Sequence, residues 1–552
     1  MLEQKSLPLP IILDFLKQGY LLSPDAFDQI SSETDVQSVI SLFSTQIQKP
    51  TVLYPELFSV LLRTKQLPLL NWQEFEKARV LVEKGKNKKV YHTFLDILHY
   101  PLSERKQEVF DKLLVDLQHP DVFEVGAAEE VFTPNVTVLV SHEEDAKKRE
   151  IQDFVSYFRA RYTSLREILQ QRQELQQVLS INRLFNKPAG EPVALIGLVF
   201  DKRITKNGNM LLSLEDPTGV FQVLINKDKP DLFAQAQYIV LDEVLGVTGL
   251  LGQNILFVNN FLFPDIPLSK EFKKAPTEAY AVFISDLHVG SKMFLEKDFQ
   301  RFIEWINGQS GTAAQKEVSA KVQYLFIVGD ICDGVGIYPE QDKELAIKDI
   351  REQYNMCARY LSQIRQDIRI ILCPGNHDAL RLAEPQPPLS KDLAQSLYAL
   401  PNITFVSNPS WVNFHSSEQY PGFDVLLYHG YSFDFYIANL DALRLAGGYD
   451  RADLIMKLLL QKRHLAPSHT STLYVPIKEQ DPLVIHRVPD FFVSGHIHKS
   501  SVSIYNHVTN ICCSCFQAKT AFQEKVGHNP EPSRVPVVNL RTREVKILNF
   551  GG

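Results

Sequence analysis

From residue 280 onward, an apolar run of the kind that builds a β-strand ends in Asp, Asn or His, and it does so five times. "YAVFIS" leads into Asp286 and His288, and "YLFIVG" into Asp330. "IRIILCPG" leads into Asn376, His377 and Asp378, "DVLLY" into His429, and "DFFVSG" into His496 and His498. Polar groups at the end of a buried strand are costly to desolvate unless something satisfies them. Ligands of sheet proteins gather at the carboxyl ends of strands, so five strands emptying onto one edge build one site.

With Asp378 set aside, two carboxylates, one amide oxygen and five imidazoles would then converge. Imidazole suits transition metals, and a carboxylate bridges well between cations. No single ion needs so many donors, whereas two ions roughly 3.5–4 Å apart that share a carboxylate would use them. In Asp-x-His and His-x-His an extended backbone points residues i and i+2 the same way. Taken singly, each motif has a plainer reading: "GNHD" as a turn capped by its own side chains, His429 as a satisfied strand-end histidine. Five such ends in order outweigh those readings. The other ten histidines, among them His92, His119, His464 and His486, lie in no such frame and read as ordinary.

A chain of 552 residues is too long for one hydrophobic core. Residues 1–75 carry apolar positions at helical spacing and read as a helical N-terminal domain. Residues 76–150, with "EKGKNKK" and "GAAEEVFTPNVTV", read as a variable region or linker. Residues 151–185 read as one long amphipathic helix. Short strands follow over 186–270, with Asn207-Gly208 as a tight-turn signal, and suit a small barrel of the oligonucleotide-binding type. Residues 275–552 hold the five-fold pattern. The final "VPVVNLRTREVKILNF" is either a sheet edge or a closing hairpin.

A net charge of −7 argues against a globally basic nucleic-acid coat but not against a local groove. Six cysteines do not form a disulfide framework, and "NICCSCF" reads as buried thiols rather than a zinc site. No apolar segment is long enough to span a bilayer, and the first residues lack a signal peptide's cleavage site, so a cytoplasmic location is expected.

Taken together, Asp-x-His, "GDICDG", "GNHD", His-Gly and "GHIH" resemble the calcineurin-type metallophosphoesterase superfamily over residues 280–500. Its protein-phosphatase branch has Arg where this chain has Gly334, which argues against phosphoprotein substrates. "LVFDKRITKNGN", "GDICDGVGIYPEQ", "PGNHDALRLAEPQP" and "YHGYSFD" are similar to the small-subunit family of archaeal family D DNA polymerases. That resemblance implies an α/β fold: an oligonucleotide-binding-type β-barrel plus a calcineurin-like phosphoesterase β-sandwich flanked by helices, with a helical N-terminal region. It also implies a 3′–5′ proofreading exonuclease and a large catalytic polymerase subunit as partner. Asp286, His288 and His498 would hold one divalent metal, and Asn376, His429 and His496 the other, with Asp330 bridging. Manganese is the family's habitual ion, and the donor set also accepts Fe, Zn or Ni. His377 would face the scissile phosphate without binding metal, Asp378 would orient its ring, and Asp333 would support the site from behind.

The favoured substrate is DNA, as single strands or frayed 3′ ends. Lys202, Arg203 and Lys206 could guide the strand, and Tyr338, Phe433 and Tyr436 could stack on bases. Two other classes stay open: a catalytically silent structural subunit, and a stand-alone phosphodiesterase for small esters.

Overall fold

In a computed structural model, residues 134–143 and 147–552 except 479 are described; before them only 14–15, 17, 20–22, 36–43, 52–53, 57 and 61 are. The chain divides into two compact units, Met1–Phe132 and Thr133–Gly552. In the first, Val36–Ser41 is helical, and Leu21–Leu22 pairs in parallel with Val52–Leu53, a short strand pair that the helical reading of 1–75 did not anticipate. The basic run "EKGKNKK" and His92 and His119 lie outside the described residues.

The second unit opens with a correction. Val136–Val140 (β1), read from sequence as part of a linker, is an edge strand whose Val140 and Val136 oppose Trp411 and Phe414. Its β-branched run is only five residues long and its partner lies some 270 residues away, so no local pattern announces the pairing. Next, Ile151–Gln170 (α1) is a helix, but it stops short of the expected end at 185. The chain turns at Arg172 into a single 3₁₀ turn, Gln173–Leu175, which buries Leu175 with Tyr162, Leu165 and Leu169 of α1 against Ile196, Leu198 and Val244. A straight continuation of the helix would carry Leu175 away from that cluster.

Five strands then close a barrel: Pro192–Ile204 (β2), Met210–Asp216 (β3), Gly219–Ile225 (β4), Val244–Leu251 (β5) and Ile255–Leu262 (β6), in the order β2-β3-β4-β6-β5. The β2–β3 hairpin closes where Thr205 N donates to Asn209 O, with Gly208 at φ +81°. β5 begins only at Val244, because Asp242 takes φ +63° and Glu243 turns inward to pair with Lys462.

The remaining strands form two six-stranded sheets. One has the order β10-β9-β8-β7-β16-β17, built from Tyr280–Ile284 (β7), Val322–Val328 (β8), Arg369–Cys373 (β9), Ile403–Phe405 (β10), Arg534–Asn539 (β16) and Val545–Asn549 (β17). The other has the order β14-β15-β13-β12-β11-β1, built from Ser410–Phe414 (β11), Phe423–Leu427 (β12), Phe491–Ser494 (β13), Ser501–Tyr505 (β14) and Val508–Cys512 (β15). The final segment is thus both a hairpin and a sheet edge.

Side-chain parity explains why these strands read as unbroken apolar runs. Phe283, Phe326, Ile371, Val425 and Val493 point into one cluster between the sheets. Their neighbours Val282, Leu325 and Ile370 face one helical layer, and Leu426 and Phe492 face another. Strands covered on both faces need apolar residues at every position. β7, β8 and β9 run parallel, as do β12 and β13, so each group sends its carboxyl ends to one rim.

Two buried links join this body to the barrel side. Arg161 of α1 donates to Asp481 Oδ2 at 2.6 Å and to Pro467 O, and His464 lies 2.8 Å from the same carboxylate. Lys462 pairs with Glu243 at 2.5 Å. Among the described residues no helix is long and apolar enough to cross a membrane, and the six cysteines are buried and unbridged.

Candidate metal centre

All five strand ends empty into one place, but they come from both sheets, not from a single edge. β7, β8 and β9 deliver Asp286 and His288, Asp330, and Asn376 with His377; β12 and β13 deliver His429 and the pair His496 and His498. Asp286, His288 and His498 form one donor cluster, and Asp330, His429 and His496 form a second; His377 also approaches His288 and Asp330.

The backbone that presents them is not extended. Asp286, His288, Asp330, His496 and His498 all lie at φ between 51° and 72°. Left-handed non-glycine residues cost roughly 1–3 kcal/mol each and persist where the surroundings over-determine them. In Asp-x-His and His-x-His the two side chains therefore share a direction because both residues take left-handed turns, not because the strand continues. The spaces between strands are also strict in their demand for glycine: a Cβ on Gly375 would stand 2.2 Å from Asp330 Oδ1, and one on Gly329 2.2 Å from His429 Nδ1.

The donor atoms crowd one another. His288 Nε2 and His498 Nε2 are 3.1 Å apart, and His498 Nε2 is 3.3 Å from Asp286 Oδ1. His429 donates from Nδ1 to Val328 O, which leaves its Nε2 facing Asp330 Oδ2 at 3.2 Å and Asn376 Oδ1 at 3.1 Å. A nitrogen whose partner proton is already committed cannot sit among acceptor oxygens without a second proton or a cation. Burial disfavours charge on His429, yet Asp330 and Asp286 beside it raise its pKa. Burial likewise pushes Asp330 up, but the surrounding His429, His377 and His288 hold it well below the usual carboxylate range. Metal ions at these two clusters would replace those protons. The residues fit a pair of divalent cations.

Supporting contacts come from residues that the strand pattern does not flag. Asp333 Oδ1 accepts from His288 Nδ1 at 3.1 Å and from Gln517 Nε2 at 2.9 Å. Asp434, at the start of the Phe433–Asn439 helix (α2), lies 3.1 Å from His496 Nε2. Gln523 Nε2 is 3.0 Å from His498 Nδ1, while its Oε1 caps Thr520 N of the Ala521–Val526 helix (α3). Asp434 stands inside "HGYSFD", five residues past His429, and Gln523 completes a Thr-x-x-Gln capping box; both signals are local and neither names its distant partner.

Several expectations need correction. Asp378 does not orient His377: its Oδ2 accepts from Gly375 N at 2.8 Å and its Oδ1 faces Cys332 Sγ at 3.4 Å, so it caps the turn, and burial first, then Asp330, lift its pKa to about 6. The ring of His377 is held instead by the main-chain carbonyl of Asp333, 2.8 Å from Nδ1. Phe433 and Tyr436 are fully buried and cannot meet a base. Lys202 Nζ donates to Ile239 O at 2.7 Å and so is engaged within the barrel side, while Arg203 and Lys206 are exposed.

Residues 281–503 match the family model that describes the B subunit of DNA polymerase alpha/epsilon. The DNA polymerase II small subunit of Methanothermobacter thermautotrophicus is 40% identical over 401 residues, covering 73% of this chain and 80% of that protein. That of Halobacterium salinarum is 38% identical over 403 residues, covering 73% and 75%, and that of Pyrococcus abyssi 37% over 406 residues, covering 73% and 64%. With two thirds or more of the first two proteins aligned at such identity, the chain belongs to the DNA polymerase II small-subunit family, the small subunit of family D DNA polymerase.

Proposed function

We propose that this subunit is a two-metal phosphodiesterase that removes nucleotides from the 3′ ends of DNA, proofreading for a large catalytic polymerase subunit that it accompanies in the cytoplasm. The observation that carries this reading is the convergence of Asp286, His288, Asp330, Asn376, His429, His496 and His498 on two adjoining donor clusters. No position in either cluster is lost to an inert side chain, which weighs against a silent structural subunit. The layered body then reads as a calcineurin-like phosphoesterase sandwich and the closed barrel as an oligonucleotide-binding fold, the latter a module with no evident use in an enzyme for small esters.

Asp286, His288 and His498 would hold one ion, Asn376, His429 and His496 the other, and Asp330 would serve both, with manganese as the expected metal. Divalent cations here supply Lewis acidity, lowering the pKa of water and offsetting charge on the phosphoryl oxygens. His377, fixed through Nδ1, keeps Nε2 for the scissile phosphate; as an imidazolium it can stabilise a non-bridging oxygen and give the Nε2 proton to the leaving 3′-oxygen. Asp286, His288, Asp330 and His429 are at most 2% exposed, whereas Asn376, His377 and His496 are more open. A phosphate must therefore come down to a recessed floor, which a frayed or single-stranded end does more readily than a duplex.

The test is manganese-dependent digestion of a 5′-labelled single strand, with and without the large subunit, comparing wild type with His377→Ala. A ladder from the 3′ end that the variant loses while keeping its metal content supports the reading. Wild type inert under both conditions removes it.

A further inference from the structure

The segment 333–341, "DGVGIYPEQ", borders the metal centre and is pinned from beneath by two buried glutamines. Gln341 donates to Asp333 O at 2.8 Å and accepts from Ile337 N at 2.9 Å. Gln353 accepts from Gly334 N at 2.9 Å and donates to Gly334 O at 3.0 Å and Ile347 O at 2.8 Å. Tyr338 is tied down at its hydroxyl, which donates to Glu344 Oε2 at 2.9 Å.

Above these anchors the loop turns apolar side chains outward. Val335 is 50% exposed and Ile337 36%, and the half-buried ring of Tyr338 lies 6.4 Å from the ring of His377. The exposed parts of Val335 and Ile337 are left uncovered by the fold, and surface loops ordinarily carry polar groups. A rigid apolar ledge beside convergent polar groups is what a ligand site requires.

We propose that Val335, Ile337 and Tyr338 form a stacking shelf for a nucleobase, and that the base is the penultimate one of the strand. The inference rests on the exonuclease reading. Hydrolysis breaks the bond between phosphorus and the 3′-oxygen of the penultimate nucleotide; water supplies the new oxygen and releases its proton to solvent, and His377 as an imidazolium gives its Nε2 proton to the departing 3′-oxygen. The nucleoside nearest His377 is therefore the one that keeps that oxygen. Glu340 and, just past the segment, Asp342 and Glu344 are only partly offset by Lys343, so the ledge suits a neutral ring better than a phosphodiester. Aromatic rings accept every base by its face, which gives grip without sequence preference.

The test uses the full chain with manganese, and with the large subunit if digestion needs it, on strands whose penultimate or terminal nucleotide is abasic. Wild type should show KM raised roughly 5- to 150-fold by the penultimate abasic nucleotide, the range of one base–aromatic stack. Tyr338→Ala should raise KM similarly on the normal strand and add nothing further on the abasic one. Tyr338→Phe, which keeps the ring, should restore the discrimination. The shelf is overturned if Tyr338→Ala still distinguishes the two strands, or if the terminal position matters instead. It is equally overturned if the variant weakens only capture of the large subunit, since the ledge would then be a protein contact. Wild type that digests no strand in any combination overturns the nuclease reading itself, and the shelf with it.

Discussion

The main-chain carbonyl of Asp333 accepts a hydrogen bond from Nδ1 of His377 at 2.8 Å, while the same residue's carboxylate accepts from Nδ1 of His288 at 3.1 Å. One residue thus holds two imidazoles by separable means, and substitution of its side chain should disturb only one of them. Asp333→Ala keeps the carbonyl, so His377 stays in place, but it frees His288 and takes one acceptor each from Gln517 and Gln341, which keep Ser291 Oγ and the Asp333 carbonyl. Partners of this kind typically contribute 10- to 100-fold in metal affinity. Calorimetric manganese titration should show that loss in Asp333→Ala, whereas His377→Ala should bind metal as wild type does and lose about 10²- to 10⁴-fold in hydrolysis. Equal manganese affinity in wild type and Asp333→Ala would count against the role given to the carboxylate.

Asp434 makes an independent case at the other donor cluster. Its Oδ2 lies 3.1 Å from Nε2 of His496, an arrangement that fixes the ring and leaves the other nitrogen for a metal. Asp434→Ala should weaken the cluster of Asp330, His429 and His496 and spare that of Asp286, His288 and His498. Electron paramagnetic resonance reads this directly: a coupled dimanganese signal in wild type, and a mononuclear one in the variant at limiting manganese. An unchanged coupled signal would mean that His496 holds its orientation without the carboxylate.

What could be read from the sequence follows the range of the interactions. The runs before Asp286, Asp330, Asn376, His429 and His496 were legible because a strand buried on both faces must be apolar throughout, and their polar ends stand out against that background. Their division between two sheets was not legible, because pairing such as Val425 with Phe491 joins segments far apart in the chain. Nor was the left-handed backbone at Asp286 and His498, since only the packed surroundings impose it. The role of Asp378 was misread because adjacency to His377 suggested contact, whereas the tight turn sends the two side chains apart.

Arg161 and Asp481 test how α1 is attached. Both side chains are essentially inaccessible, at 1% and 0%, so solvent screens their pairing little. Removing one partner of a buried ion pair leaves an uncompensated charge and typically costs about 3–5 kcal/mol. Arg161→Ala should lower the denaturation midpoint of the main unit accordingly. Arg161→Met with Asp481→Asn should recover much of it, since the asparagine keeps an oxygen for His464. If the double variant is no better than Arg161→Ala, the arginine acts through its bonds to Pro467 and Tyr157 rather than through charge.

Glu384 gives the protein a dependence on pH that its own carboxyl carries. It is 1% exposed, Tyr428 donates to its Oε2 at 3.1 Å, and burial raises its pKa to about 8 against the nearby Thr472 and Tyr428 hydroxyls and the His429 charge, which lower it. The folded state thus binds a proton that the unfolded chain releases near pH 4.5. A raised folded-state pKa contributes stability that is complete below the unfolded value and is lost as pH climbs through the folded one. Wild type should therefore lose up to about 1.4 kcal/mol per pH unit from this group between roughly pH 5 and 8. Glu384→Gln keeps an oxygen for Tyr428 and carries no charge. Thermal melts should find it close to wild type at pH 5 and progressively more stable than wild type toward pH 8. Parallel curves for the two proteins across that range would show that Glu384 is already ionised in the folded state, with a cation or water reaching it.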